Sequence, residues 1–373
     1  MFGSRNFLFA KGAAGPVIIG GKLFMWGKNN FGTLGLGDTV NRSSPVQVGA
    51  LTDWAYIAIN NSTLCVKTDN TLWSWGFNTY GTLGLNNATG RSSPVQVGAL
   101  TNWKKPTLSA ASSACVKTDG TLWSWGRNIN GSLGLGNTTV YSSPKQIGSS
   151  TNWEVVVGSG YSLLATDNAG KLFAWGTNSQ GQLGLGDTAN RSSPVQVGAL
   201  TNWETPASGN NHSLCVKTDG TLWSWGYNSN GQLGQSDVIN RSSPVQVGAL
   251  TNWSIPAGSN IASACVKTDG TLWTWGGNAN VGTLGQNDNI SRSSPTQVGS
   301  LTNWSIPGAS LYTMLCVKTD NTLWSWGYNS YGQLGLGNAG TNPGQRSSPT
   351  QVGSLTNWAN KPATFQSSGC IQT

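Results

Sequence analysis

The chain has 373 residues, 51 glycines, 19 tryptophans, only 9% charged side chains and a net charge of +8. Disordered chains lack aromatics, so this composition excludes general disorder, and each buried Trp can remove roughly 150–250 Å² from water, enough in sum for a large core. The basic balance suggests an anionic partner, but no Lys/Arg run supports nucleic-acid binding, and no window is apolar enough to span a membrane.

Residues 1–16 match nothing later in the chain and read as an N-terminal arm. The run Phe7-Leu8-Phe9-Ala10, interrupted by Lys11, is too short for a secretory leader. From Val17 onward one module repeats. Its Trp-Gly step falls at Trp26, Trp75, Trp125, Trp175, Trp225, Trp275 and Trp326, at intervals of 49, then 50 four times, then 51. A fixed period of this length marks a repeat architecture and overrides the usual estimate of domain number.

One unit, taken from Trp54, reads as four short strands. The first covers 54–59 and the second 64–68. Asp69-Asn70 then makes a turn, replaced elsewhere by Asp119-Gly120, Asp219-Gly220 and Asp269-Gly270. Such pairs predict a two-residue type I′ hairpin. The third strand covers 71–75 and alternates in polarity. A Gly-rich loop follows, with leucines placed to tuck between sheets, and Pro94 opens a fourth strand over 94–97. Nothing has helical periodicity.

Seven such units predict an all-β, seven-bladed β-propeller over 17–373. An open solenoid would need atypical capping repeats. Here the ends look like two halves of one unit. Cys370-Ile371-Gln372-Thr373 matches Cys65-Val66-Lys67-Thr68, and Gly20-Gly21-Lys22-Leu23 would continue it. The ring is thus expected to close through a blade shared by both termini, which removes free sheet edges.

The run Trp225-Gly226-Tyr227-Asn228-Ser229-Asn230-Gly231-Gln232-Leu233-Gly234 resembles the repeat of the regulator of chromosome condensation family. Arg191-Ser192-Ser193-Pro194-Val195-Gln196-Val197 and Asp219-Gly220-Thr221-Leu222-Trp223 look like its bacterial and phage branch. The resemblance implies the propeller fold. It does not choose a function, because the family includes a nucleotide exchange factor for a small GTPase, a plant UV-B photoreceptor and secreted β-lactamase inhibitors. No unit has room for the exchange factor's inserted wedge. The photoreceptor's Gly-Trp-Arg-His-Thr motif is missing, the equivalent segments being Ser208-Gly209-Asn210-Asn211-His212 and Gly258-Ser259-Asn260-Ile261-Ala262.

Candidate chemistry is sparse. Cys65, Cys115, Cys215, Cys265, Cys316 and Cys370 share one repeat position, with Ala165 in the seventh. Packed sheets lie about 10 Å apart, too far for disulfides, so buried free thiols are expected. One histidine and no Cys-x-x-Cys leave no zinc site, and no cofactor motif is present. The only glutamates are Glu154 and Glu204, and His212 has no nucleophile motif beside it, so no enzyme is expected and His212 reads as a polar loop residue.

Two sets of residues are candidates for binding. The segments between the first and second strands diverge among units, with Asn60, Asn61, Tyr161, Asn210, Asn211, His212, Asn260 and Tyr312 as the polar and aromatic members. The loop after Trp-Gly varies too, giving Phe31, Phe77, Tyr80, Arg127, Tyr227, Tyr328 and Tyr331. Drift at solvent loops and recognition both produce such variation, and Tyr, Asn and Ser suit adaptable binding surfaces. The alternative is an anion-binding rim of Arg42, Arg91, Arg191, Arg241, Arg292 and Arg346, unless each guanidinium caps carbonyls or stacks on a ring. The expected function is a non-enzymatic propeller offering its loop face to a macromolecule. The preferred setting is a phage virion, as a tail or host-contact protein mounted by the arm on other virion proteins and facing a host receptor or glycan. A cytoplasmic interaction scaffold and a glycan-binding lectin are the alternatives.

Overall fold

The structure, a computed structural model, describes residues 20–278, 281–339 and 344–373. The expected arm at 1–16 and the start of the repeat at 17–19 lie outside the described residues. The described strands form seven four-stranded antiparallel sheets. In the blade of Trp75 they run Trp54–Ile59, Ser62–Lys67, Leu72–Gly76 and Arg91–Gln96, in that spatial order. The second strand is buried throughout, and in the third only Trp73 is partly exposed. Both faces of these middle strands are therefore covered by neighbouring sheets.

Two local expectations need correction. The turn at Asp69 is not type I′. Only Asn70 takes a positive φ, 61°, and Gly120, Gly220 and Gly270 do the same at 75–76°. The N–H of Asn70 donates to Lys67 O, and that of Lys67 to Thr71 O, giving a three-residue loop closed by a left-handed residue. Asp69 serves as an acceptor instead. Its carboxylate takes the Thr71 N–H at 2.9 Å and the Thr71 hydroxyl at 2.7 Å, and that hydroxyl accepts from Trp73 Nε1 at 2.9 Å. The fourth strand also begins earlier than Pro94, at Arg91, where Gly76 pairs with it across a bulge.

Closure of the ring is visible in two places. Each first strand packs on the first strand of the next blade, and Trp358–Thr364 touches both Trp304–Ser310 and Trp54–Ile59. The shared blade takes its inner strands, Trp358–Thr364 and Ser367–Gln372, from the C-terminal end and its outer strands, Lys22–Gly27 and Arg42–Gln47, from the N-terminal end. Phe24 pairs with Cys370 and Lys22 with Gln372.

Neighbouring blades share one joint. The indole Nε1 of Trp75 donates to Thr33 O of the preceding blade at 2.8 Å. Trp125, Trp175, Trp225, Trp275 and Trp326 repeat this bond, and Trp26 closes it onto Gln333 O at 2.9 Å. A glycine lies against each indole. A Cβ on Gly335 would fall 2.8 Å from Trp26 Nε1, and one on Gly35 2.7 Å from Trp75 Nε1. The six cysteines are free and fully buried, and burial pushes the thiols of Cys115, Cys265, Cys316 and Cys370 up to about 12. They act as small apolar core residues.

Deleting 358–373 removes the two inner strands of the shared blade and exposes the edges beside Trp54 and Leu23. The truncated chain should aggregate on expression. A soluble, cooperatively unfolding product in a thermal melt would count against closure by strand sharing.

Candidate interaction face

The hairpin tips between first and second strands and the loops between third and fourth emerge at the same end of each blade. Ser62 and Arg91 both pair with Gly76, and the Phe77 N–H donates to Asn61 O at 3.1 Å. The opposite end carries the Asp turns and the half-exposed Leu51, Leu100, Leu200, Leu250, Leu301 and Leu355. The tyrosine and arginine sets, read from sequence as rival surfaces, therefore share one face. They differ in radius. Asn60, Asn61, Tyr161, Asn210, Asn211, Asn260 and Tyr312 sit at the inner tips, Tyr80, Tyr227 and Tyr328 on the loops, and the arginines at the start of the outermost strands. Neighbouring tips are also tied together: Ala110 N–H donates to Gly160 O, Asn210 to Ser259 O and Asn260 to Leu311 O.

The arginine rim carries little free charge. Arg42, Arg191, Arg241 and Arg292 each pair with the aspartate four residues earlier, Asp38, Asp187, Asp237 and Asp288, at 2.5–2.7 Å. Each also donates to the carbonyl between them, as Arg191 does to Ala189 O at 2.7 Å. Hydrogen bonding from Arg292 holds the Asp288 carboxyl down at about 2. Arg91 donates to Thr89 O and Gly90 O, and Arg346 to Gln345 O. These side chains cap the loop that leads into the fourth strand.

His212 is not an exposed loop anchor. It opens the strand His212–Lys217 and is 1% exposed, with Nε2 2.9 Å from Ser263 Oγ. Burial lowers its pKa to about 4. Its place on a second strand, all of which are buried, explains the error: the equivalent strand openings in other blades are Ser62, Ser112, Ser162 and Ala262, and Gly209 packs against the imidazole.

The repeated lysines are internal as well. Lys217 Nζ lies 4.5 Å from the Trp203 ring and 3.7 Å from the Trp223 ring, and Lys67, Lys117, Lys267 and Lys318 sit between equivalent pairs. Where the lysine is lost, the second ring shrinks. Asp167 accompanies Phe173, and Gln372 accompanies Phe24. The cation and the larger ring come as a set, as cation–π pairing requires. Much of the positive charge is thus spent inside the fold.

What remains on the face is a row of aromatic contacts. Tyr312 meets Tyr328 and Tyr328 meets Tyr331, both at 6.5 Å edge-on. Lys28 Nζ sits 4.7 Å over Tyr331. Beyond it Phe31 meets Phe77 at 5.0 Å, Phe77 meets Tyr80 at 6.2 Å, and Arg127 lies 4.4 Å over Tyr80. Tyr312 also accepts from Asn260 Nδ2 at 3.2 Å. Tyr161 and Tyr227 lie on the other side of the ring. Lys28, Phe365 and Gln366 were missed by sequence reading. They meet only because the split blade brings 365–366 beside 28, and Lys28 Nζ donates to Gln366 Oε1 at 2.7 Å.

Leu311 stands out at the head of this row. Its hairpin pairs Ser310 with Thr313, leaving Leu311 and Tyr312 as the turn, and Leu311 takes a φ of 32°. The matching position in another blade is Gly160, at 54°. A turn of this kind wants glycine there, and a bulky residue with positive φ costs roughly 1–3 kcal/mol.

The buried histidine gives a pH dependence. In the unfolded chain the imidazole titrates near 6.5, and in the fold near 4. Between these values the unfolded chain takes up a proton that the fold refuses, so stability is full above pH 6.5 and falls as pH drops toward 4. The loss amounts to about 3 kcal/mol. His212→Gln should flatten this slope in denaturant titrations run from pH 7 to 4. An unchanged slope would show that His212 does not titrate as described.

A model of the regulator of chromosome condensation (RCC1) repeat matches residues 20–63, 69–116, 119–165, 169–216, 219–262 and 320–363, most of the chain. A search of curated protein sequences finds no match. Among solved structures, human WBSCR16 is similar at 20% identity with a TM-score of 0.82, covering 94% of this chain and 98% of that one. Prp20p from Saccharomyces cerevisiae, described for its binding to Gsp1p and histones, is similar at 20% identity and a TM-score of 0.81, covering 95% and 92%. Yeast RCC1 (Prp20) bound to Kap60 gives 20% identity, a TM-score of 0.81 and coverage of 100% and 96%. With the repeat matched in six segments and the ring of seven blades in place, the chain belongs to the regulator of chromosome condensation repeat family.

Proposed function

We propose that the protein is a non-enzymatic scaffold that presents its hairpin-and-loop face to a protein partner. One observation carries this reading: the connected row from Tyr312 to Tyr331, held on strands whose cores are closely packed. Aromatic side chains give contact area at low entropic cost, and rigid supporting strands reduce the cost of binding further. The non-enzymatic part is in keeping with the chain's sole histidine, which is buried and whose pKa burial lowers to about 4. The similarity to Prp20p, with its named protein partners, supports a protein as the ligand.

Two settings fit. A phage virion, with residues 1–16 as the mount, rests on the likeness of the Arg-Ser-Ser-Pro segments to phage-branch repeats. An intracellular protein-interaction scaffold is the alternative, in keeping with the named protein partners of Prp20p. Sedimentation of the tagged chain with purified particles supports the first, and recovery only in the soluble fraction the second.

A photo-crosslinking residue at position 328 should capture one discrete protein, and one at position 100 or 200 on the opposite end should not. Tyr312→Ala should weaken that association by about 1–3 kcal/mol with the thermal midpoint nearly unchanged. Capture from the opposite end alone would overturn the choice of face. Arg191→Ala and Arg241→Ala should instead lower stability slightly, by about 0.5 kcal/mol, and leave binding intact.

A further inference from the structure

We infer that the aromatic row is the seat of an extended acidic peptide whose single apolar side chain enters the cavity beside Tyr328. This rests on the reading of the loop face as the docking face. The cavity measures about 370 Å³ and is lined by Leu311, Tyr312, Tyr328, Tyr331 and Phe365. That is room for one large apolar side chain and not for a folded element. Leu311 contributes to the lining from a backbone conformation that glycine would adopt without strain. Strain retained at one hairpin tip, over a cavity, points to a use for that side chain.

Charge decides the rest of the ligand. Lys28 stands at the cavity rim, bonded to Gln366, and Arg127 stands at the far end of the row. Among the described residues, no carboxylate lies within 4.0 Å of either, whereas four rim arginines each have their own aspartate. These two loop cations are therefore uncompensated by carboxylates. A ligand that meets them with carboxylates gains the Coulomb energy that the rim has already used.

The same geometry disfavours a sugar or a base. Both would need open ring faces. Here Lys28 covers a face of Tyr331, Arg127 covers a face of Tyr80, and Tyr328 packs edge-on against its neighbours. On Tyr331 and Tyr80 a stacking ligand would compete with the cation already over the ring. A peptide needs only the rim cations, the cavity and the amide of Asn260.

The test uses the full chain and a fluorescein-labelled nonapeptide of glutamates around a central phenylalanine. Two control peptides replace every glutamate with glutamine, or the phenylalanine with serine. Anisotropy titrations at low salt should show both controls binding about tenfold more weakly or worse, the phenylalanine supplying the anchor and the glutamates the complementarity. Lys28→Gln and Arg127→Gln should weaken the acidic peptide and leave the glutamine peptide unaffected. Leu311→Gly should raise the thermal midpoint and still weaken binding, which separates loss of function from loss of fold. Hydrogen exchange should place the protected segments at 28–31 and 311–331.

Protection at the opposite end, around Leu100 and Leu200, would overturn the docking-face reading itself. Equal affinity for the glutamine peptide at the same segments would overturn the acidic ligand alone. Tighter binding of a heparin oligosaccharide or a thymidine oligonucleotide at those segments would replace the peptide with a polyanion. No binding of the acidic peptide at any concentration up to millimolar would overturn the inference.

Discussion

The ring depends on one contact, repeated: an indole N–H of one blade donating to a loop carbonyl of the blade before it, with a glycine against the ring. Each half of the contact explains a part of the motif. The tryptophan must be the residue before the Trp-Gly glycine, because only there does its Nε1 reach across, as Trp125 reaches Thr82 O at 2.8 Å. The glycine after the loop leucine must lack a side chain, because a Cβ on Gly84 would lie 2.9 Å from that nitrogen. A buried N–H without an acceptor costs roughly 1–3 kcal/mol, so the bond and the close approach are retained together. The same contact sets the spacing between blades and, through seven repetitions, the curvature that lets Trp26 meet Gln333.

A second consequence concerns where polarity goes. The lysines sit between two rings, the Trp-Gly asparagines bind loop carbonyls, as Asn228 Nδ2 binds Ile239 O at 3.1 Å, and the rim arginines hold their own aspartates. These three repeated sets are thus engaged within their own blade or the next, whereas the first-strand indole N–H groups of Trp54, Trp103, Trp153, Trp203, Trp253, Trp304 and Trp358 are buried without a hydrogen-bond partner. Recognition is left to residues that the repeat does not specify. Those are the tips and loops, and among them all the aromatic members but Tyr161 and Tyr227 gather on the side of the ring where the termini meet.

Much of the fold was legible because it is written seven times. The period, the strands and the shared blade follow from the spacing of Trp-Gly and from the match of Cys370-Ile371 to Cys65-Val66. The inert cysteines followed from their shared position. The details that escaped are those in which one residue type serves two physical ends. Asp-Gly signals a type I′ turn in many hairpins, but Asp69 is needed as an acceptor for Thr71, and that selects the longer loop. His212 looked like a loop residue because it follows the divergent Gly209-Asn210-Asn211, and only three dimensions show that it opens the buried second strand and turns inward. The face was the least legible part. Lys28 and Gln366 are far apart in sequence, and the shared end of tips, loops and arginines emerges only from strand register.

The central claim, that seven equivalent joints close the ring and that Trp26 makes the last of them, is tested most directly by native-state hydrogen exchange of the indole N–H groups. The account predicts that the Nε1–H of Trp26 is as strongly protected as those of Trp75, Trp125, Trp175, Trp225, Trp275 and Trp326, all exchanging through one global unfolding event. Exchange of Trp26 at a much lower opening free energy, with the other six still protected, would mean that the ends do not lock and that the ring is an open arc.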